Sequence, residues 1–177
     1  MSVTLLSCGG ARLTLPDEGG ALVDRRDGGH LVVLPPRDVW ERSELAADEL
    51  TLFGFLVASA GAAMLETLPA LAGGCVNYWE AGNWSLHDDA EPRGRKDPRR
   101  ARHVHLHLLG RSPRAEHPSW RWGEAPVFPA FAGRRAWMAG FERLRPDECR
   151  SVAARTAELL VARYRVDPAR VVLEPPA

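Results

Sequence analysis

No stretch limits the fold of this chain more tightly than His103-Val104-His105-Leu106-His107-Leu108-Leu109. Imidazole and aliphatic side chains alternate strictly, which is the pattern of a half-buried strand. A strand turns successive side chains to opposite faces. The reading therefore puts His103, His105 and His107 on one face and Val104, Leu106 and Leu108 on the other. The aliphatic face requires a core to enter. Half of the six histidines fall within five residues, and such a concentration marks a functional site.

Imidazole titrates near neutrality, so one ring can serve as nucleophile or base while a neighbour donates hydrogen bonds. Donor rings would hold phosphoryl oxygens while a neutral ring attacks, dividing one difficult transfer into two easier steps. Metal binding is the competing chemistry, since neutral imidazole suits zinc or copper. Three histidines of one strand close poorly on a single ion, because two residues advance about 6.6–6.8 Å. A further ligand would come from His30, His87, Asp88 or Asp89.

The chain has 177 residues, the size of one domain or one domain with an extension. Hydrophobic residues make up 45% and charged residues 26%, as in an ordinary soluble globular protein. Acidic and basic residues balance at 23 each, which argues against a generic nucleic-acid coat or a membrane-surface protein. Cys8, Cys75 and Cys149 are scattered and odd in number, so no disulfide framework or cysteine zinc site is indicated, and reduced thiols of a cytoplasmic protein are expected. The opening residues lack the pattern of a signal peptide. The uncharged run from Leu50 to Leu65 is shorter than the ~20 residues of a membrane helix and reads as a core helix.

In chain order, Val3–Leu6 and Leu13–Leu15 read as edge strands or a loose arm. Ala21–Val23 and His30–Leu34, joined by a turn with Asp27-Gly28, read as a β-hairpin that ends at Pro35-Pro36. A helix is expected from Asp48 to Leu68, with Leu50, Phe53, Val57, Ala60 and Met64 as its apolar stripe. Its cap is incomplete, because Glu49 has no partner hydroxyl at Ala46. Cys75–Trp79 reads as a strand. Residues 87–102 form a basic loop, either solvated or a lid that brings cations over an anionic ligand. Six aromatic residues punctuate the irregular segment 110–145 (Trp120, Trp122, Phe128, Phe131, Trp137, Phe141), as anchors to the main body or as stacking partners for a base. A second long helix is expected from Pro146 to Tyr164, then a short strand at Arg170–Leu173.

At every position His103–Leu109 resembles the pattern of the histidine-triad (HIT) family, three histidines alternating with apolar residues and then two apolar residues. Gly29-His30-Leu31-Val32-Val33-Leu34-Pro35, with Arg37 and Val39 after it, resembles the family's strand with a fourth histidine. Glu80-Ala81-Gly82-Asn83 is similar to the Gly-Gln segment before the triad. The resemblance covers roughly residues 20–111. In the family that segment runs directly into the triad; here about 16 residues intervene, Asn83 stands for glutamine and Trp84 for a small residue.

The resemblance implies an α+β fold, an antiparallel sheet with packed helices, commonly extended across a homodimer. It implies one HIT-like domain over residues 1–177, with a core at about 20–111, a basic insertion at 87–102 and a C-terminal extension at 112–177. The implied activity is that of a nucleotide hydrolase or nucleotidyl transferase cleaving at an α-phosphate through a nucleotidyl-histidine. His105 is then the nucleophile, His107 contacts phosphoryl oxygens, His103 orients the strand and His30 supports the cluster. Asp24 stands near the family's ribose-binding acid, Asn83 at its phosphate contact and Ser85 near a following hydroxyl. Asn77 and Arg102 complete the expected substrate contacts. The histidine chemistry requires no metal of its own, although a divalent cation can travel with a polyphosphate substrate. The implied partner is a nucleotide or nucleotide conjugate, with neither a nucleic-acid polymer nor a membrane.

Overall fold

The computed structural model describes residues 2–80, the backbone of Asn83, and residues 84–174. Among the described residues six strands form one antiparallel sheet: β1 (Val3–Cys8), β2 (Ala11–Leu15), β3 (His30–Leu34), β4 (Cys75–Trp79), β5 (Leu106–Arg111) and β6 (Val171–Leu173). Their order across the sheet is β4-β5-β3-β2-β1-β6. The same described residues form four α-helices: α1 (Ala47–Thr67), α2 (Pro98–Ala101), α3 (Arg134–Met138) and α4 (Pro146–Tyr164). The fold is α+β, as the sequence predicts.

Alternation decides which face of the sheet each strand buries. Leu106 and Leu108 of β5, Leu31 and Val33 of β3, and Ala11, Leu13 and Leu15 of β2 enter one core with α1 and α4. Helix α1 is long and apolar enough to cross a membrane by length and composition. In this fold its Leu52, Phe53, Leu56, Ala60 and Met64 are buried against the sheet and α4. The Glu49 carboxylate accepts the Ala46 N–H at 2.8 Å, half of a capping box. Helix α4 has the boundaries expected from Pro146 to Tyr164, and Glu148 caps the Arg145 N–H at 2.7 Å.

The opposite face carries His107 and Leu109 of β5. His30 is the cross-strand partner of Leu109, and on β4 Trp79 faces His107 and Asn77 faces Leu109. Part of this face is covered by a second, smaller core of Ala21, Leu22, Val23, Leu109, Trp120 and Phe141. Trp120 is fully buried there, and Phe128 lies against Trp79, Trp120 and Trp137. These aromatics of the 112–145 segment are anchors. Buried Asp27 ties the segment down by accepting the N–H groups of Glu116 (2.9 Å) and His117 (3.2 Å).

Three local readings differ from the structure. First, 21–34 is not a hairpin. Asp24 caps a 3-10 turn at Arg25–Asp27, Gly28 and Gly29 adopt φ of 130° and 77°, and β3 pairs with β2 and β5 instead. Second, the N-terminal strands β1 and β2 lie inside the sheet, because β6 takes the outer position beside β1. Third, the ladder at the triad starts only at Leu106. Pairing with β3 stops at Leu106 and pairing with β4 at His107, so residues 103–105 precede the sheet. They stay extended beside residues 37–39, with the Val104 N–H bonded to the Val39 carbonyl at 2.8 Å.

Where β5 passes the 28–29 turn, the two backbones nearly touch. The Gly110 N–H donates to the Gly29 carbonyl at 2.9 Å, and a Cβ on Gly110 would overlap the Gly28 carbonyl. This close approach sets His30 beside the histidines of β5.

Candidate active site

His30, His105 and His107 come together on the open part of the second face. The rings of His30 and His107 are 5.0 Å apart, and those of His105 and His107 stand edge-on at 4.7 Å. His30 is 2% exposed, and His105 and His107 are half-buried.

Backbone partners fix which nitrogen carries each proton. The Leu22 N–H, which can only donate, bonds His30 Nδ1 at 3.1 Å. The proton of the neutral His30 ring is therefore on Nε2, where it donates to His107 Nδ1 at 2.8 Å. His107 in turn carries its proton on Nε2. His105 is the reverse case: its Nδ1 lies 2.7 Å from the His103 carbonyl, which can only accept, so Nδ1 holds the hydrogen and Nε2 a lone pair. The cluster thus offers one free nucleophilic nitrogen, on His105, next to one N–H donor, on His107.

Electrostatics keep the pair His30–His107 uncharged. Burial, reinforced by the neighbouring His105, lowers the His107 pKa to about 3. Burial lowers His30 well below its ordinary value, with His107 and His105 adding to the effect. The rings of His30 and His107 pair with one another through the bond of 2.8 Å. Among the described residues no group of three or more His, Cys, Asp or Glu side chains could hold a metal.

His103 is exposed and joins the cluster through its carbonyl. Its Nδ1 donates to the Asp38 carboxylate at 2.6 Å. Asp38 follows the Pro35-Pro36 end of β3 and is a residue that the motif search missed. The local signal for it was an acid next to Arg37 and Val39; its partner lies 65 residues away.

Of the other expected contacts, Asn77 is half-buried on the histidine face. Asp24 is buried and committed to local structure. It accepts from Arg26 N–H (2.9 Å), the Arg26 guanidinium (2.9 and 3.2 Å) and Glu142 N–H (2.9 Å). Burial opposes its charge, but these donors outweigh burial and hold its carboxyl below the usual carboxylate value. Arg102 is paired with Glu41 and, at 3.7 Å, with Glu80, which also pairs with Arg42. That network fastens the end of the basic insertion to the ends of β4 and the 41–42 loop. Ser85 is exposed and lines a cleft with Trp84. Ala81, Gly82 and the side chain of Asn83 lie outside the described residues.

No family model and no curated protein matches the chain. Among solved structures it is similar to a histidine triad (HIT) protein from Sinorhizobium meliloti 1021, at 20% identity, over 80% of this chain and 90% of that one, with a TM-score of 0.43. Likeness at this level assigns neither a family nor a role.

Proposed function

We propose that the protein is a nucleotide hydrolase or nucleotidyl transferase that cleaves a nucleotide conjugate at its α-phosphate. A dinucleoside polyphosphate or a nucleoside phosphoramidate has the required chemistry. The observation that carries this reading is the opposite protonation of neighbouring rings: a free Nε2 on His105 beside an Nε2–H on His107. His105 Nε2 attacks the α-phosphorus, an N–P bond forms, and the bond to the leaving group breaks with its electron pair on that group. Water, or the hydroxyl of a second acceptor, then attacks the same phosphorus: the new O–P bond forms as the N–P bond breaks, the electron pair returns to His105 Nε2, and the proton of the attacking hydroxyl passes to solvent. His107 donates to a phosphoryl oxygen, and burial, which lowers its pKa to about 3, keeps the ring neutral near pH 7. His103 and Asp38 hold His105 in its tautomer from behind.

Asn77 and Asn83 are the proposed polar contacts to substrate, with no role for a resident metal. The reading includes a homodimer. Strand β4 is an edge of the sheet, and its Tyr78 and Trp79 are exposed, which supports it. The deciding experiment incubates the protein with a panel of these conjugates and measures intact mass and products. A nucleotidyl adduct on His105, and its loss together with turnover in His105→Ala by about 10³-fold or more, is expected. Binding without any adduct or turnover would make this a nucleotide-binding protein instead.

A further inference from the structure

Beside the histidine face a cleft of about 520 Å³ opens between the insertion and the C-terminal extension. Trp84 and Ser85 form one wall, Arg93 comes from the inserted loop, Phe131 from the 3-10 turn before α3, and Arg134 and Arg135 from the start of α3. A row of ring contacts leads from it to Trp79, the β4 residue opposite His107. Trp79, the cross-strand partner of His107, meets Phe128 at 4.7 Å, and Phe128 meets Trp84 at 6.5 Å.

The cationic wall is assembled before any ligand arrives. The Arg134 guanidinium sits 3.3 Å over the Phe131 ring and bonds the Phe131 carbonyl at 2.6 Å. His87 stacks parallel to the same ring at 4.1 Å, fixing the inserted loop against the extension. Arg135 has no ion-pair partner among the described residues. Two acids line the cleft as well: Glu91 lies 3.4 Å from Arg93, and Asp89 donates its N–H to His87 Nδ1 at 3.2 Å, so the three arginines of the lining outnumber its two carboxylates. Arginine forks grip phosphate oxygens in bidentate fashion, and a positioned fork loses little freedom in doing so. An uncharged amine would leave these cations unused.

We infer that this cleft is the subsite for a polyphosphate-bearing leaving group, so that the enzyme selects substrates with a phosphate chain beyond the α-phosphate. The inference rests on the nucleotidyl-transfer reading for the direction of the substrate. The cleft itself is testable alone.

The test uses the intact protein, the double variant Arg93→Glu with Arg135→Glu, and His105→Ala. Calorimetric titration with inorganic tripolyphosphate is expected to show binding to the wild type and to His105→Ala, and at least tenfold weaker binding to the double variant. The kcat/KM ratio of dinucleoside polyphosphate to nucleoside phosphoramidate should fall at least tenfold in the double variant. Absence of tripolyphosphate binding to the wild type, equal binding to the double variant, or an unchanged substrate ratio would each overturn the inference. If tripolyphosphate binds with this arginine dependence but no adduct forms on His105, the covalent mechanism fails and the anion subsite stands.

Discussion

His30 Nε2 and His107 Nδ1 lie 2.8 Å apart, and the proton between them belongs to His30. The Leu22 amide decides this by occupying His30 Nδ1. Nitrogen-15 spectra of the imidazoles should therefore show His30 and His107 protonated at Nε2, and His105 at Nδ1. Finding His105 protonated at Nε2 in the free protein would remove its nucleophile.

Acid should weaken the fold through these rings. In the unfolded chain both titrate near 6.5; in the native state His107 titrates at about 3 and His30 is also strongly depressed. Over that interval the unfolded chain binds more protons, so stability rises with pH and is lost as pH falls below about 6.5. Each ring contributes up to about 1.4 kcal/mol per pH unit. His107→Gln removes one share. Its deficit relative to the wild type, measured by urea unfolding, should shrink between about pH 6.5 and pH 4.5.

Asp38 supports His105 only through His103, and both Asp38 and His103 are exposed. Asp38→Asn should lower kcat about fivefold, the equivalent of about 1 kcal/mol, and change folding stability by less than about 0.5 kcal/mol. A loss of stability at unchanged kcat would make the pair purely structural.

Gly110 and Gly28 approach too closely to admit a side chain. Gly110→Ala should cost about 3 kcal/mol in urea unfolding. It should also disturb the His30–His107 bond, visible as altered ring resonances in the protein that remains folded. A neutral result would mean that β5 and the 28–29 turn can separate without cost.

Long elements were legible in the sequence because their signals are local. Pro146 marks the start of α4, and the apolar spacing through Phe53, Ala60 and Met64 marks α1, although Leu50, expected on the same stripe, is exposed because Leu52 and Leu56 take the buried face. The alternation at the triad correctly identified a strand that buries Leu106 and Leu108. It could not show that the ladder begins at Leu106, since that depends on where β3 and β4 run out of partners. The Asp-Gly signal near residue 28 was real but serves a 3-10 turn, because β3 finds its antiparallel partner in β2, across the long connection 16–29, which no local pattern records. The three histidines at 103–107 were found by residue type and spacing, and His30 only through the resemblance of the Gly29–Pro35 stretch to a strand with a fourth histidine. The Asp38–His103 pair was not, being joined only by tertiary structure. The tight packing of Arg102 and Asp24 against neighbours was equally invisible, since burial and ion pairing belong to the folded chain.

Leu22 affects the chemistry through its peptide and not through its leucine side chain. Any residue except proline would offer the same N–H. Position 22 can therefore change among the apolar side chains that its place in the smaller core admits while the N–H stays constant. Proline is the apolar residue that the bond to His30 excludes. The trace in an alignment would be an apolar column without proline.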